Sequence, residues 1–282
     1  MKKQILAIVF GLLNVGAHSQ LLYKIESKNG QHTSYLYGTI HLMPEEQFKI
    51  SPVLTQAFDQ CRTLAMEVEL KMSLSEQVAL AKQTLLPNGQ TLKDITQPVV
   101  YKTISSYCMD SCGMSKKKFK RYSHLKPFFL SSIMLQDQLK STKSYEIEFG
   151  KMAEKGKKNT MGLESIQAQM ETINAVSLSD QVRMLLDGLT KPQAYDSMVS
   201  AYLSEDLETL YHEIIAESEG FPDFIESFLN RRNQNWIPVI TTQVEQEPTF
   251  IAVGAGHLSG EEGVISLLRN AGYSIKPVIQ KF

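Results

Sequence analysis

The chain has only three cysteines, and no two pairs of them at zinc-finger spacing, so neither a disulfide framework nor a structural zinc knuckle organises it. It has no excess of one charge: 29 Lys and Arg face 30 Asp and Glu, for a net charge of -1. Without a strongly basic face, nucleic acid is not an expected partner. After the first nineteen residues no stretch is long and apolar enough to cross a bilayer, so no membrane span is expected in the mature chain. Low-complexity runs and a self-evident serine or cysteine nucleophile are also missing. What is present is an ordinary globular composition, 43% hydrophobic and 21% charged over 282 residues.

Residues 1–19 stand apart. Lys2 and Lys3 precede an apolar run, Ile5 to Val15, which gives way to small residues at Gly16 to Ser19. This is the pattern of a secretory leader, too short for the roughly 20 residues of a spanning helix. No cysteine sits at the expected cleavage point, which argues against a lipid anchor. Removing the leader leaves 27 basic against 30 acidic side chains, a mature net charge of -3. The expected location is a periplasm or the extracellular space. In that compartment Cys108 and Cys112 are close enough in sequence to pair as a local disulfide, whereas Cys61 reads as a small buried hydrophobe.

The mature chain opens with two strands, Leu21 to Ile25 and Ser34 to Tyr37, joined by the polar turn Lys28-Asn29-Gly30-Gln31. Ser51-Pro52 starts a helix, and Leu64 to Leu70 reads as a strand. The middle is helical: Leu74, Val78, Ala79 and Leu80 share one pattern, Lys116 to Arg121 form a basic cluster read as solvated surface, and Phe128 to Leu135 is apolar. Tyr145 to Lys158 predicts an amphipathic helix running into a short strand, Thr160 to Leu163. Ser204 is expected to cap a helix bearing Leu207, Leu210, Tyr211, Ile214 and Ile215, stopped at Gly220 and Pro222, with another helix from Asp223. Phe250 to Val253 predicts a strand, Glu262 to Asn270 a helix, and Ser274 to Ile279 a last strand. The expected fold is therefore α/β: a central β-sheet built from two strand, Gly-x-x-His loop, helix, strand units with a large helical insertion between them. The expected division is a leader at 1–19 and one α/β domain over 20–282, with a helical middle at about 74–155.

Two histidines share one setting. Tyr35-Leu36-Tyr37-Gly38-Thr39-Ile40-His41 and Phe250-Ile251-Ala252-Val253-Gly254-Ala255-Gly256-His257 both run from an apolar strand into Gly-x-x-His. Functional groups of open α/β sheets gather beyond the carboxyl ends of strands, and Gly38, Gly254 and Gly256 would let backbone or ligand approach closely there. Carboxylates follow the same logic. A period of two puts Glu67 and Glu69 on one face of their strand, and Glu164 ends the short strand Met161-Gly162-Leu163. Two imidazoles with Glu67 and Glu164 make a plausible open divalent-metal site, a donor set that does not separate zinc from manganese, iron or cobalt. Such a metal acidifies water and polarises a carbonyl while a carboxylate takes the proton. Arg232, following the helical face of Phe224, Ile225, Phe228 and Leu229, is expected to aim a guanidinium at the cleft for a substrate carboxylate or oxyanion. Arg231 stays open between the cleft and solvated surface, His32, His124 and His212 lack the strand-end setting, and Trp236 and Pro238 read as packing and helix-ending residues.

Gly38-Thr39-Ile40-His41-Leu42, the Glu67 strand, Gly162-Leu163-Glu164 with Gln169, Arg231-Arg232-Asn233 and the block Val253 to Val264 together resemble the TraB/GumN family, which is related to the Tiki metalloproteases. The resemblance covers essentially the whole mature chain in order. It implies an α/β fold with two Gly-x-x-His units flanking a helical insertion, and a metal-dependent hydrolase site acting on peptides or proteins. Residue by residue, His41 and His257 match the paired histidines, Glu67 and Glu164 the acidic positions, and Arg232 the arginine before asparagine. Some members are linked to sequestering peptide pheromones, so capture of a peptide or haem-like ligand without turnover is the alternative.

Overall fold

The computed structural model describes residues 20–191 and 193–280; the expected leader at 1–19 lies outside them. Strands β1 (Leu22–Glu26) and β2 (Thr33–Thr39) form the expected hairpin, pairing Leu22 with Tyr37 and Glu26 with Thr33. Gly30, at φ +70°, makes the turn possible, and Asn29 Oδ1 accepts the Gln31 N–H at 2.8 Å. After the short β3 (Met43–Pro44), Ser51 caps α1 (Pro52–Asp59) by accepting the Leu54 N–H, and β4 (Thr63–Met66) follows.

The insertion runs through α2 (Leu74–Gln83), α3 (Leu92–Ile95), α4 (Pro98–Asp110), α5 (Lys116–Tyr122) and α6 (Pro127–Leu139). Strand β5 (Thr142–Lys143) pairs with β3, and α7 (Tyr145–Lys155) leads into β6 (Asn159–Gly162). Next come α8 (Ile166–Ala175), α9 (Leu178–Thr190), α10 (Ala194–Leu203), α11 (Leu207–Glu217), α12 (Pro222–Ile225), a π turn (Glu226–Asn230) and α13 (Arg231–Gln246). Strand β7 (Thr249–Gly254), α14 (Val264–Asn270) and β8 (Ser274–Pro277) close the fold.

The architecture is mixed α/β around a six-stranded sheet ordered β6-β4-β7-β2-β1-β8. Strands β6, β4, β7 and β2 are mutually parallel, and β1 runs against both its neighbours. The Gly-x-x-His strands β2 and β7 are thus adjacent and parallel. Their burial explains their composition: Leu36, Phe250, Ala252 and Val253 are fully enclosed, as central parallel strands covered on both faces must be. The main core joins the sheet to α1, α7, α10, α13 and α14. A second apolar cluster, with Leu92, Ile104, Phe119, Leu130 and Leu185, holds part of the helical insertion together.

Several expectations are corrected. The strand expected over 64–70 ends at Met66, which pairs with Gly162, the last residue of β6, and with Ala252 of β7. Glu67 and Glu69 therefore diverge: Glu67 is buried, and Glu69 is exposed and accepts from Thr160 Oγ1. Helix α2 buries none of its residues, with Leu74 77% exposed, and is held at its start by a Ser73–Glu76 capping box. Ser204 ends α10, and Asp206 is the residue that caps α11, accepting the Thr209 N–H. Pro238 lies inside α13 and does not end it. Cys108 and Cys112 are free thiols, so the expected disulfide is not formed. Both pack as small apolar groups in the second cluster, and burial first of all pushes their thiols up to about 12 and about 11. Cys61 follows α1, buried, with its thiol likewise pushed up to about 12.

Candidate functional site

The register of the central strands pairs Thr39 with Gly254, so the loops carrying His41 and His257 leave the sheet at the same end and side by side. The close approach depends on missing side chains. A methyl at Gly38 would meet Leu258 Cδ1 at 2.8 Å and Ala255 Cα at 3.1 Å, which would push the turn after β7 away from β2. At Gly256 it would meet Ile214 Cδ1 at 2.5 Å. Gly254 is different, because its missing methyl faces the acids and imidazoles. That position lies 3.2 Å from Glu67 Oε1, 3.6 Å from His257 Cδ2 and 3.9 Å from His41 Nε2, three residues around one hollow.

Each imidazole is oriented by a partner that the sequence reading did not identify. His257 Nδ1 lies 2.7 Å from Asn233 Oδ1. The Asn233 amide nitrogen donates to the Glu262 and His257 carbonyls, so Oδ1 is an acceptor and Nδ1 carries the proton. The lone pair of His257 is therefore on Nε2, 3.8 Å from Glu67 Oε1. Burial, opposed by Glu67 and reinforced by Arg232 and His41, pushes the His257 pKa down to about 3, keeping the ring neutral. His41 Nδ1 lies 3.0 Å from Glu146 Oε1, which also accepts from Thr39 Oγ1 at 2.5 Å. Burial in the cleft works against a charge on His41, but Glu146 outweighs it and raises the pKa; with 67% of the side chain open, solvent screens the pair. Glu146 was legible only as an acid in the first turn of α7, held there by Ser144 Oγ at 2.6 Å.

The acids meet through Arg232. Its Nη2 donates to Glu67 Oε2 and to Glu164 Oε1, both at 2.6 Å, and its Nε donates to Glu164 Oε1 at 3.0 Å. Its Nη1 donates to the Phe228 carbonyl at 3.0 Å and lies 3.3 Å from His257 Nε2. Every direction of the guanidinium fork is occupied, so Arg232 holds the carboxylates and has no donor left for a substrate carboxylate, contrary to the expectation from sequence. The π turn at Glu226–Asn230 shifts the helix register just before it, and both Arg232 and Asn233 are buried while Arg231 is exposed. Trp236, fully enclosed, lies with its ring 4.5 Å from that of His257 and 4.8 Å from the Arg232 guanidinium.

Burial works to raise the Glu67 pKa, but His257, His41, Arg232 and the Gly254 N–H (2.8 Å to Oε1) hold it down at about 2. Gln169 Nε2 adds a weaker bond to Oε2 at 3.3 Å. His41, His257, Glu67 and Arg232 line a cavity of about 540 Å³; Glu164 sits behind Arg232 and does not border it. His124 lies in the helical insertion beside the Gln90 carbonyl, and neither it, His32 nor His212 lines this cavity.

Among the described residues no group of three or more His, Cys, Asp and Glu side chains is closed around a metal-sized point. The donors nevertheless suit a divalent cation by their chemistry. His257 presents a neutral Nε2, His41 has its Nδ1 occupied and its Nε2 turned to the hollow at Gly254, and Glu67 Oε1 faces the same hollow. Glu164, engaged twice by Arg232, is not in that set. Replacing Glu146 by glutamine should weaken divalent-metal affinity about 10- to 100-fold, measured by titration calorimetry, through loss of the group that orients His41. Unchanged affinity in Glu146→Gln would mean the pair is only a surface ion pair.

The TraB/PrgY/gumN family model matches residues 21–277. Metalloprotease TIKI1 of Danio rerio is 25% identical over 299 residues, covering 86% of this chain and 60% of that protein. A Metalloprotease TIKI homolog of Amphimedon queenslandica is 24% identical over 325 residues, covering 93% of this chain and 62% of that one. The chain thus spans about 60% of the length of the curated relatives it matches. No solved structure matches the chain significantly. Among the described residues no helix is long and apolar enough to cross a membrane.

Proposed function

The chain belongs to the TraB/PrgY/gumN family, and from that premise we propose that it is an exported, metal-dependent hydrolase of the metallopeptidase kind, acting on peptides or proteins. The observation that carries the reading is the ring of His41 Nε2, His257 and Glu67 Oε1 around the methyl-sized gap at Gly254. His41, His257 and Glu67 would hold a divalent ion, and a bound ion supplies a Lewis acid that acidifies water and polarises a carbonyl. The remaining work falls to the protein. Asn233 keeps the His257 proton on Nδ1 and Glu146 holds the His41 Nδ1–H, which makes Nε2 the ligating atom of each ring. Ligation would require release of the Arg232 Nη1 contact to His257 Nε2 and loss of the second proton that Glu146 favours on His41. Arg232 fixes Glu67 through Oε2, and Glu164 fixes Arg232 from behind. The apolar walls of the cavity, with Phe128, Phe129, Phe228 and Leu229, exclude bulk water from a bound peptide bond. Zinc, manganese, iron and cobalt all suit this donor chemistry.

Chelator should abolish peptide cleavage by the purified protein, and an added divalent metal should restore it. His41→Ala combined with His257→Ala should lose both metal, by elemental analysis, and turnover. If that double variant cleaves peptides as fast as the parent, the hydrolase reading is wrong. A second reading, capture of a peptide or haem-like ligand without turnover, is favoured by the 3.3 Å approach of Arg232 Nη1 to His257 Nε2, a cation close to a nitrogen that a metal would need. Ligand recovered chemically intact after long incubation with metal-loaded protein would decide for it.

A further inference from the structure

The cavity at the histidines has a neighbour. Phe128, Leu135, Tyr195, Met198 and Ile214 line both it and a second cavity of about 400 Å³, so these side chains form a waist between adjoining chambers of one groove. The walls of the second chamber are apolar, built on Leu185, Phe221 and Phe224, and Phe224 stacks on Phe228 of the first at 4.4 Å between ring centres. Its rim is acidic, with Asp187, Glu213 and Glu217. Glu217 is neutralised by Lys191 at 3.1 Å, whereas Asp187 and Glu213 form no ion pair among the described residues. Gly188, inside α9, leaves room: it lines the second chamber, and a methyl there would meet nothing within 4 Å.

We infer that the two chambers select peptides carrying two large apolar side chains, the inner one beside the reacting bond and the outer one next to a positive charge. The reacting bond rests on the hydrolase reading, and the selection rests on the groove itself. Apolar chambers of this size bind ligands by removing apolar surface from water, and a few polar groups set the orientation. The acidic rim decides what kind of apolar ligand enters. It repels the carboxylate of a fatty acid or the propionates of a porphyrin, and it attracts a lysine, an arginine or a free amino end. A peptide combines both features.

The test uses fluorescein-labelled, end-blocked octapeptides of Gly and Ser bearing a Phe and a Leu at scanned spacings, with a Lys beside the outer one. Comparison peptides carry Gln at both apolar positions or Glu in place of Lys. The metal-loaded full chain should favour the apolar pair over the Gln pair by at least about tenfold, in anisotropy binding and in kcat/KM alike, and Lys over Glu by about threefold. Gly188→Leu, a substitution that suits a helix, should fill the outer chamber and lower affinity for the two-residue peptide about tenfold while leaving a single-Phe peptide unchanged. Equal handling of the Gln pair, no effect of Gly188→Leu, or displacement of the peptide by far lower concentrations of laurate would each overturn the inference. Binding measured with excess chelator separates the two readings. Selective binding without cleavage sinks the hydrolase and leaves the groove; cleavage without selectivity does the reverse.

Discussion

Arg232→Leu is expected to destabilise the protein by about 3–5 kcal/mol, because it leaves two carboxylates without the cation between them. The Arg232, Glu67 and Glu164 side chains are 10%, 7% and 10% exposed, so solvent does little to screen the loss. For a chain of this size that is a fall in melting temperature on the order of 10 °C. Arg232→Lys keeps the charge but not the fork, and should fall between parent and Arg232→Leu. The sign of the pH dependence follows from Glu67. Its pKa is held down at about 2, so its contribution is present above the usual carboxylate value of about 4.3 and is lost as pH falls through about 2. The stability gap between parent and Arg232→Leu should therefore be widest near neutrality and narrow between about pH 4 and pH 2. A denaturant titration giving less than about 1 kcal/mol at pH 7 would remove Arg232 from its place as the tie between the acids.

Gly254→Ala should leave the fold intact and abolish the proposed metal site. Gly254 sits at φ -52° and ψ 135°, which alanine adopts without strain, and the change removes backbone freedom from the unfolded chain. The melting temperature should stay within about 3 °C of the parent. The added methyl, however, would stand 3.2 Å from Glu67 Oε1 and 3.9 Å from His41 Nε2, in the hollow those atoms surround. Divalent-metal affinity should fall at least about 100-fold, and any metal-dependent cleavage should go with it. A Gly254→Ala protein that binds metal as the parent does would place the cation elsewhere. Because Gly254→Ala deletes no donor, it separates loss of space from loss of a ligand, which the histidine substitutions do not.

Much of this was readable along the chain. The hairpin, α1 with its Ser51 cap and the two Gly-x-x-His strand ends depend on neighbours within a few residues, and the periodicity records them. The errors share a cause. The continuation of β4 past Met66 and the Cys108–Cys112 bridge both turn on what lies beside the segment in space, not along it. Asn233 was read as part of a motif without a task, since only the fold sets its side chain against His257.

What the sequence determined alone was the alternation of strands and helices, the family, and the residue types able to bind a cation. Local pattern suffices there, because each of those features is written in contiguous residues. Tertiary structure decided which of them meet: Glu67 facing the histidines, Glu164 withdrawn behind Arg232, and Glu146 joined to His41. Residues 41, 67, 232 and 257 are brought together by the parallel register of β4, β7 and β2 and by the π turn ahead of α13, and Glu146 joins them through the packing of α7 in the main core. Hydrogen bonds and burial act over a few ångströms, and no spacing in the chain encodes a contact between side chains separated by up to two hundred residues.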